Sequence, residues 1–262
     1  MYEFEFVKPT TVADAVAALG EEEAQALGGG QTLIPTLKQR LAMPATLVSL
    51  TGIAEMKGIK AEGGTVTIGG GTTHGTVAKE AASAYPALAA LASNIGDPAV
   101  RNRGTIGGSL ANNDPSACYP AAALASGATI VTSSREIAAD DYFQGMFTTA
   151  LEDGEIVTAV RFPVPEKAAY IKFEQPASRF ALVGVFVAKY ADGVRVAVTG
   201  ASEEGVFRWS EAEEALNKEF RADALMGLKI NHLNMIGDIH GTKEYRAHLV
   251  AVLTKRAVAA AG

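Results

Sequence analysis

Two glycine-rich loops constrain this chain more than any other feature of its sequence. They are Gly28–Pro35 and Arg101–Leu110. Glycine lets the backbone approach a ligand closely and turn its N–H groups towards it, so two such loops can enclose a pyrophosphate with few side-chain charges. The pair of loops therefore predicts a protein that binds a dinucleotide.

Each loop alone is weaker evidence, because many glycine clusters are only tight turns. The first loop does not fit the Rossmann fingerprint, since Leu33 stands where a third glycine is required and no acidic residue follows at the expected strand end. A Walker loop is also excluded, because no Gly-Lys-Ser or Gly-Lys-Thr follows. A further glycine cluster at 69–71 is interpreted as a turn.

Composition narrows the possible functions. With 262 residues, 48% of them hydrophobic, the chain can bury a substantial core. Its net charge of -6 argues against general binding to nucleic acid or to acidic membranes. The single Cys118 excludes an internal disulfide and cannot hold an iron–sulfur cluster by itself, so any metal centre is expected on another chain. The start of the chain lacks a signal-peptide pattern and no membrane-spanning segment is found, so we expect a cytoplasmic protein.

The order of helix and strand signals predicts an α/β region followed by an α+β region. In the first part the signals predict a helix (12–20), two strands (21–27 and 46–50), a hairpin (59–68), helices near 77 and at 86–92, and strands at 128–132 and 155–162, while 120–127 is an alanine-rich stretch. The prolines within 163–167 interrupt helix and sheet hydrogen bonding, so the domain boundary is predicted there.

Beyond this boundary, strands at 182–190 and 194–199 flank a turn at Ala191-Asp192-Gly193 and predict an antiparallel hairpin. Helices are predicted after it. Ser210 and Glu213 have the spacing of a capping box, and Thr242 is predicted to cap a last helix.

At a set of longer motifs the chain resembles a known family, the FAD-binding medium subunits of the molybdenum hydroxylases, which include carbon monoxide dehydrogenase and xanthine dehydrogenase. The resemblance covers nearly all of the sequence. Its most specific parts are Gly28–Pro35 with Lys38 and Arg40, Thr72-Thr73-His74, Ile95–Ala111, and Asn113-Asp114-Pro115.

The resemblance implies an α+β protein with a two-subdomain α/β FAD-binding domain of the PCMH (vanillyl-alcohol oxidase) type, followed by a smaller domain of antiparallel sheet plus helices. The FAD-binding domain is expected at residues 1–165, with subdomains of about 1–57 and 58–165. The C-terminal domain, of the carbon monoxide dehydrogenase flavoprotein type, is expected at 166–262.

The resemblance also implies a set of cofactor-binding residues. The FAD pyrophosphate is expected on the N–H groups of Gly28–Leu33 and Thr105–Ser109, with Asp114 at a ribose or stabilising the second loop. Lys172 is expected near the flavin, and Phe180 stands where many members have a tyrosine. The whole expected set is Leu27, Gly28, Gly29, Gly30, Gln31, Thr32, Leu33, Thr72, His74, Ile95, Thr105, Ile106, Gly107, Gly108, Ser109, Asn113, Asp114, Lys172 and Phe180.

Some residues have two interpretations. His74 fits a catalytic or covalent-flavin role less well than a structural one, because no acid or cysteine is paired with it in sequence. Arg101 and Arg103 fit either phosphate contacts or structural pairs. Cys118, where many relatives carry an acidic residue, is interpreted as a buried apolar residue. No catalytic side chain and no metal ligand is predicted; the remaining histidines, in the C-terminal region, have no ligands in register.

The function implied is that of an electron-transfer subunit in a heterotrimeric molybdenum hydroxylase. A large partner would hold the molybdenum cofactor, a small partner would hold two [2Fe-2S] clusters, and FAD on this chain would pass electrons to an external acceptor. Family members assemble as a dimer of heterotrimers. The alternatives are a self-contained FAD-dependent oxidase or reductase and a non-catalytic adenine-dinucleotide module. Neither the substrate of the holoenzyme nor its acceptor is predicted from the sequence.

Overall fold

The N-terminal strands form a small parallel sheet in the computed structural model, which describes residues 1–262. Its elements are β1 (Glu5–Val7), α1 (Val12–Leu19), β2 (Ala24–Leu27), α2 (Leu33–Lys38) and β3 (Thr46–Ser49). The strand order is β1-β3-β2, and both pairings are parallel. The first glycine loop therefore leaves the carboxyl end of β2 and leads directly into α2.

A five-stranded antiparallel sheet and a group of short helices follow. The elements, after two 3-10 turns at Leu50–Gly52 and Ala54–Met56, are β4 (Ile59–Glu62), β5 (Thr65–Gly69), α3 (His74–Glu80), α4 (Pro86–Ser93), α5 (Pro98–Arg101), α6 (Ile106–Asn112), α7 (Tyr119–Ala125), β6 (Thr129–Thr132), β7 (Glu136–Ala138), α8 (Ala139–Tyr142), β8 (Phe143–Gly145), β9 (Thr148–Thr149) and β10 (Val157–Pro163). The sheet order is β4-β5-β10-β6-β7, while β8 and β9 form a separate hairpin. The predicted hairpin at 59–68 is confirmed by the antiparallel pairing of β4 with β5.

The C-terminal part is an antiparallel meander with two helices. Its elements are β11 (Lys167–Glu174), β12 (Ala181–Tyr190), β13 (Gly193–Ser202), β14 (Gly205–Arg208), α9 (Ser210–Lys218), a 3-10 turn at Ala222–Leu225, and α10 (Lys243–Ala261). Strands pair in chain order, and every pairing is antiparallel. The predicted hairpin of β12 and β13 is therefore confirmed, and the α+β fold class agrees with the structure.

Both faces of the C-terminal sheet are buried. Phe186 on one face lies in the same hydrophobic cluster as Val66 and Phe162 of the five-stranded sheet. Val185 and Val187 on the other face pack with α9 and α10. This explains the nearly unbroken apolar sequence of β12, since a strand covered on both faces has no polar side. The hydrophobic core thus continues across residue 165, and the division into domains there stays a prediction.

One predicted helix cap is wrong and another is confirmed. Ser210 is already inside α9, and no side chain caps that helix. The buried Glu213 instead accepts hydrogen bonds from Arg208 and from the N–H of Val196, because a carboxylate gains more from a guanidinium than from a helix N–H. Thr242 does cap α10, accepting a hydrogen bond from the N–H of Tyr245 at 3.2 Å.

No helix is both long and apolar enough to span a membrane.

A buried carboxylate fastens the loop between β9 and β10 to the end of β6. Burial opposes ionisation of Glu155, but hydrogen bonds from Arg135, Thr132 and Ser134 and from the N–H of Glu152 outweigh it and lower its pKa from 4.5 to about 2. Its side chain is 2% exposed, whereas that of Arg135 is 42% exposed. Screening at Arg135 therefore limits what this pair contributes to stability.

We expect Glu155→Gln to lower the free energy of unfolding by about 1–3 kcal/mol at neutral pH, because Thr132, Ser134 and Arg135 lose a charged acceptor. The depressed pKa stabilises the folded state above pH 4.5, and this contribution is lost as pH falls from there through about 2. Urea unfolding at several pH values measures it. Glu152→Gln, at a side chain that is 76% exposed, serves as control and should change stability by less than about 1 kcal/mol. Equal effects of the two substitutions would contradict this account.

Candidate functional site

The two glycine loops are in direct contact. A Cβ atom at Gly29 would lie 2.1 Å from the carbonyl oxygen of Arg103 and 2.6 Å from the Cα of Gly104. A Cβ at Gly28 would lie 3.2 Å from the hydroxyl oxygen of Thr105. Only glycine fits at position 29, so the first loop depends on it to reach the second.

The third glycine cluster supports the second loop from the other side. The N–H of Gly107 donates to the carbonyl of Gly70 at 2.9 Å, and the N–H of Ile106 donates to the carbonyl of Thr72 at 3.1 Å. A Cβ at Gly107 would lie 2.7 Å from the Gly70 oxygen. The cluster at 69–71, interpreted from the sequence as a turn, therefore also belongs to the framework of the site.

The loops differ in the hydrogen-bond donors that they leave free. The N–H groups of Gly28 through Leu33 have no acceptor within the protein; the first donating N–H after them is that of Ile34, which bonds to Gly30. In the second loop the N–H groups of 106–109 are all bonded, to the Gly70–Thr72 segment or to Thr105. A row of free N–H groups in a glycine-rich loop is typical of an anion-binding site. We call residues 28–33 the cradle.

Thr72 and His74 pack behind the second loop. The Thr72 hydroxyl is bonded to the N–H and carbonyl of Gly58. His74 is buried, donates its own N–H to Gly104, and would meet a Cβ at Gly104 only 2.6 Å from its Nε2. Its Nδ1 has no partner in the protein. This geometry supports the structural interpretation of His74.

Burial, and secondarily the charge of Arg101, lowers the pKa of His74 from 6.5 to about 4. The imidazole is therefore neutral at physiological pH.

Arg101 has a structural role. Its guanidinium donates to the carbonyls of Ile95 and Gly96 at 3.1 and 2.8 Å. Gly96 has a left-handed φ of 52°, and Asp97 caps α5 by accepting from the N–H of Val100. These bonds hold the segment that leads into the second loop.

Lys172 fastens the turn between β11 and β12 to the end of α4. Its ammonium donates to the carbonyls of Asn94 and Arg179 and lies 3.9 Å from the Cys118 sulfur. Its side chain is 2% exposed. Burial raises the pKa of the Cys118 thiol, although the charge of Lys172 opposes that shift. Cys118 is buried, as the sequence predicts.

Helix α6 links the second loop to a cavity of about 210 Å³. The helix has seven residues, so its ends are roughly 10 Å apart. Asp114, just beyond its C-terminal end, lines the cavity together with Phe180, which is 53% exposed. The other lining residues are Ser116, Gln175, Ser178, Ala181, Leu182, Asp238, His240 and Arg246. Most of these residues were not predicted from the sequence, because they come from distant segments that share no local motif.

Asn113 uses most of its hydrogen-bonding groups to hold the hairpin of β8 and β9. It has a left-handed φ of 42°, and its side-chain amide donates to the carbonyls of Gly145 and Thr148 at 2.8 and 2.9 Å. Its own carbonyl accepts from the N–H of Phe147. Only the side-chain oxygen of Asn113 is left for a cofactor.

Comparison with known proteins identifies the family of the chain. The family described as the FAD binding domain in molybdopterin dehydrogenase matches residues 2–165. The carbon monoxide dehydrogenase medium chain of Afipia carboxidovorans is 35% identical, over 97% of this chain and 95% of that protein. The nicotine 6-hydroxylase medium subunit of Paenarthrobacter nicotinovorans is 34% identical, over 98% of this chain and 96% of that protein.

The fold agrees with the sequence comparison. A chain of the reconstituted carbon monoxide dehydrogenase from Oligotropha carboxidovorans superposes with a TM-score of 0.90 at 33% identity, over 99% of this chain and 98% of that chain. The protein belongs to the family of FAD-binding medium subunits of the molybdenum hydroxylases. It is an oxidoreductase component, and its cofactor is FAD.

The residues present fit this cofactor. The cradle offers free N–H groups to a diphosphate, and a side chain at Gly29 would fill the space where the loops meet. The orphaned Nδ1 of His74 lies behind the same loops. FAD supplies the redox chemistry when bound, and the protein supplies binding and orientation.

Because a methyl group at position 29 would force the loops apart, we expect Gly29→Ala to weaken FAD binding by at least about tenfold. The flavin content of the purified protein measures this. Gly28→Ala is the matched control, since its Cβ would meet only a side-chain oxygen at 3.2 Å, and it should retain most of its flavin. Full flavin content in Gly29→Ala would show that the loop contact does not support binding.

We expect the His74 imidazole to titrate with a midpoint near pH 4 in the folded chain. The unfolded chain binds this proton near pH 6.5, so His74 lowers the stability of the fold as pH decreases from 6.5 towards 4. The NMR signals of the ring, assigned by their loss in His74→Gln, measure the midpoint. A midpoint near 6.5 would mean that the ring is exposed to water.

Proposed function

We propose that this chain takes electrons from [2Fe-2S] clusters on a small partner subunit and passes them through its FAD to an external acceptor. A large partner subunit would oxidise the substrate at a molybdenum cofactor. The main support for the proposal is the cradle, a row of free N–H groups in contact with a second glycine loop. The chain also spans nearly the full length of the medium-chain relatives.

The proposed cofactor contacts follow from the free groups around the loops. The N–H groups of residues 28–33 would bind the diphosphate, with the hydroxyls of Thr32 and Ser109 as further donors. Asp114 would bind a ribose or ribityl hydroxyl at the far end of α6. The flavin ring would then lie towards Phe180, on the turn that Lys172 fastens.

The incoming electron transfer requires no side chain to act as an acid or a base. The buried, neutral His74 and the buried Lys172 instead stabilise the loops and turn around the cofactor. Rigid support of this kind fixes the distance between redox groups. We therefore propose that the chain binds, orients and shields the flavin, and that substrate specificity is determined on the large subunit.

The assembly is proposed from the relatives. Carbon monoxide dehydrogenase and nicotine 6-hydroxylase each have a protein of this type as their medium chain or medium subunit. We propose a dimer of heterotrimers in the cytoplasm, with the FAD-binding domain at 1–165 and the C-terminal domain at 166–262. The family match at 2–165 supports that boundary.

Purification of the tagged chain from its host, with partner masses and a visible spectrum, tests the proposal. We expect flavin and iron–sulfur absorption together with a large molybdenum-containing chain. Substrate should reduce the flavin in this complex and leave the isolated chain oxidised. A yellow protein that purifies alone and is reduced directly by a small molecule would contradict the proposal and favour a self-contained oxidase or reductase.

Gly29→Ala provides the matched control for this experiment. In the variant complex, substrate should still bleach the iron–sulfur absorption, while electron delivery to the acceptor should stop with the loss of flavin. Unchanged delivery would show that electrons leave the complex by another route.

A further inference from the structure

The cradle has no formal charge of its own. Neither 27–34 nor 104–109 contains an acidic or basic residue. A dinucleotide diphosphate carries about two negative charges, which backbone N–H groups compensate only in part. A cationic side chain beside the cradle would therefore add to binding.

Arg103 adjoins the cradle. Its carbonyl oxygen is the atom that a Cβ at Gly29 would strike at 2.1 Å, so its backbone touches the cradle. Its side chain is exposed, and its guanidinium takes part in none of the ion pairs or hydrogen bonds within the protein.

The neighbouring cations are less suitable. Arg101 is occupied by the carbonyls of Ile95 and Gly96. Arg40 lies over the ring of Tyr2, 5.4 Å from its centroid. Lys38 is at the far end of α2 from the cradle.

We propose that the Arg103 guanidinium binds the diphosphate of FAD and supplies the charge that the cradle lacks. This inference rests on the proposed function, since it assumes FAD in the cradle. It resolves the two interpretations of the arginine pair: Arg101 is structural, and Arg103 binds the ligand. Salt screens the attraction between an exposed guanidinium and a diphosphate, whereas it weakens the hydrogen bonds from backbone N–H groups less.

The test measures the Kd of FAD for the full-length apoprotein by flavin fluorescence, at about 50 and about 500 mM KCl. Arg103→Gln should weaken binding by on the order of tenfold at low salt, and the difference should narrow at high salt. Arg103→Lys, which keeps the charge but loses the planar fork, should give an intermediate value. Lys38→Gln removes an exposed cation at the far end of α2, and its Kd should stay within about twofold of wild type.

A Kd for Arg103→Gln within about twofold of wild type at low salt would overturn the assignment. Equal weakening at both salt concentrations would also overturn it, because a structural defect is not screened by salt. Failure of the wild-type chain to bind FAD would overturn the proposed function together with this inference.

Discussion

The close contact between Gly29 and the backbone at Arg103 and Gly104 is the constraint on which the site depends. The backbones approach so closely that no side chain fits between them. In the second loop the N–H groups of Ile106 and Gly107 are in turn bonded to Thr72 and Gly70, and those of Gly108 and Ser109 are bonded to Thr105. The two loops therefore have different roles. The second loop supports the first, and the first loop presents the free N–H groups.

The short helix α6 extends this arrangement to the rest of the molecule. It begins in the second loop and ends at Asn112. Asn113, which follows it, holds the hairpin of β8 and β9 with its side chain and carbonyl, and Asp114 lies beside the cavity. Lys172 of β11 and Phe180 of the turn after it lie in the C-terminal part, whose sheet shares a hydrophobic core with the five-stranded sheet. The C-terminal part thus borders the proposed flavin end of the site.

Much of the fold and the position of the cradle could be predicted from the sequence, because hairpins, glycine loops and the Thr242 cap have local signals. Glu213 was misinterpreted, since its partners Arg208 and Val196 lie on strands that local spacing does not reveal. The bonding of the second loop to Gly70 and Thr72 was missed for the same reason. The cavity residues Asp238, His240 and Arg246 could not be predicted either, because only the folded sheet brings them near Asp114.

The most direct test of the cradle is amide hydrogen exchange of the full-length chain with and without FAD. We expect fast exchange across 28–33 in the apoprotein, because these N–H groups have no acceptor, and strong protection when FAD is bound. The N–H groups of 106–109, already bonded within the protein, should change much less. Unchanged exchange at 28–33 with protection confined to other segments would contradict this expectation.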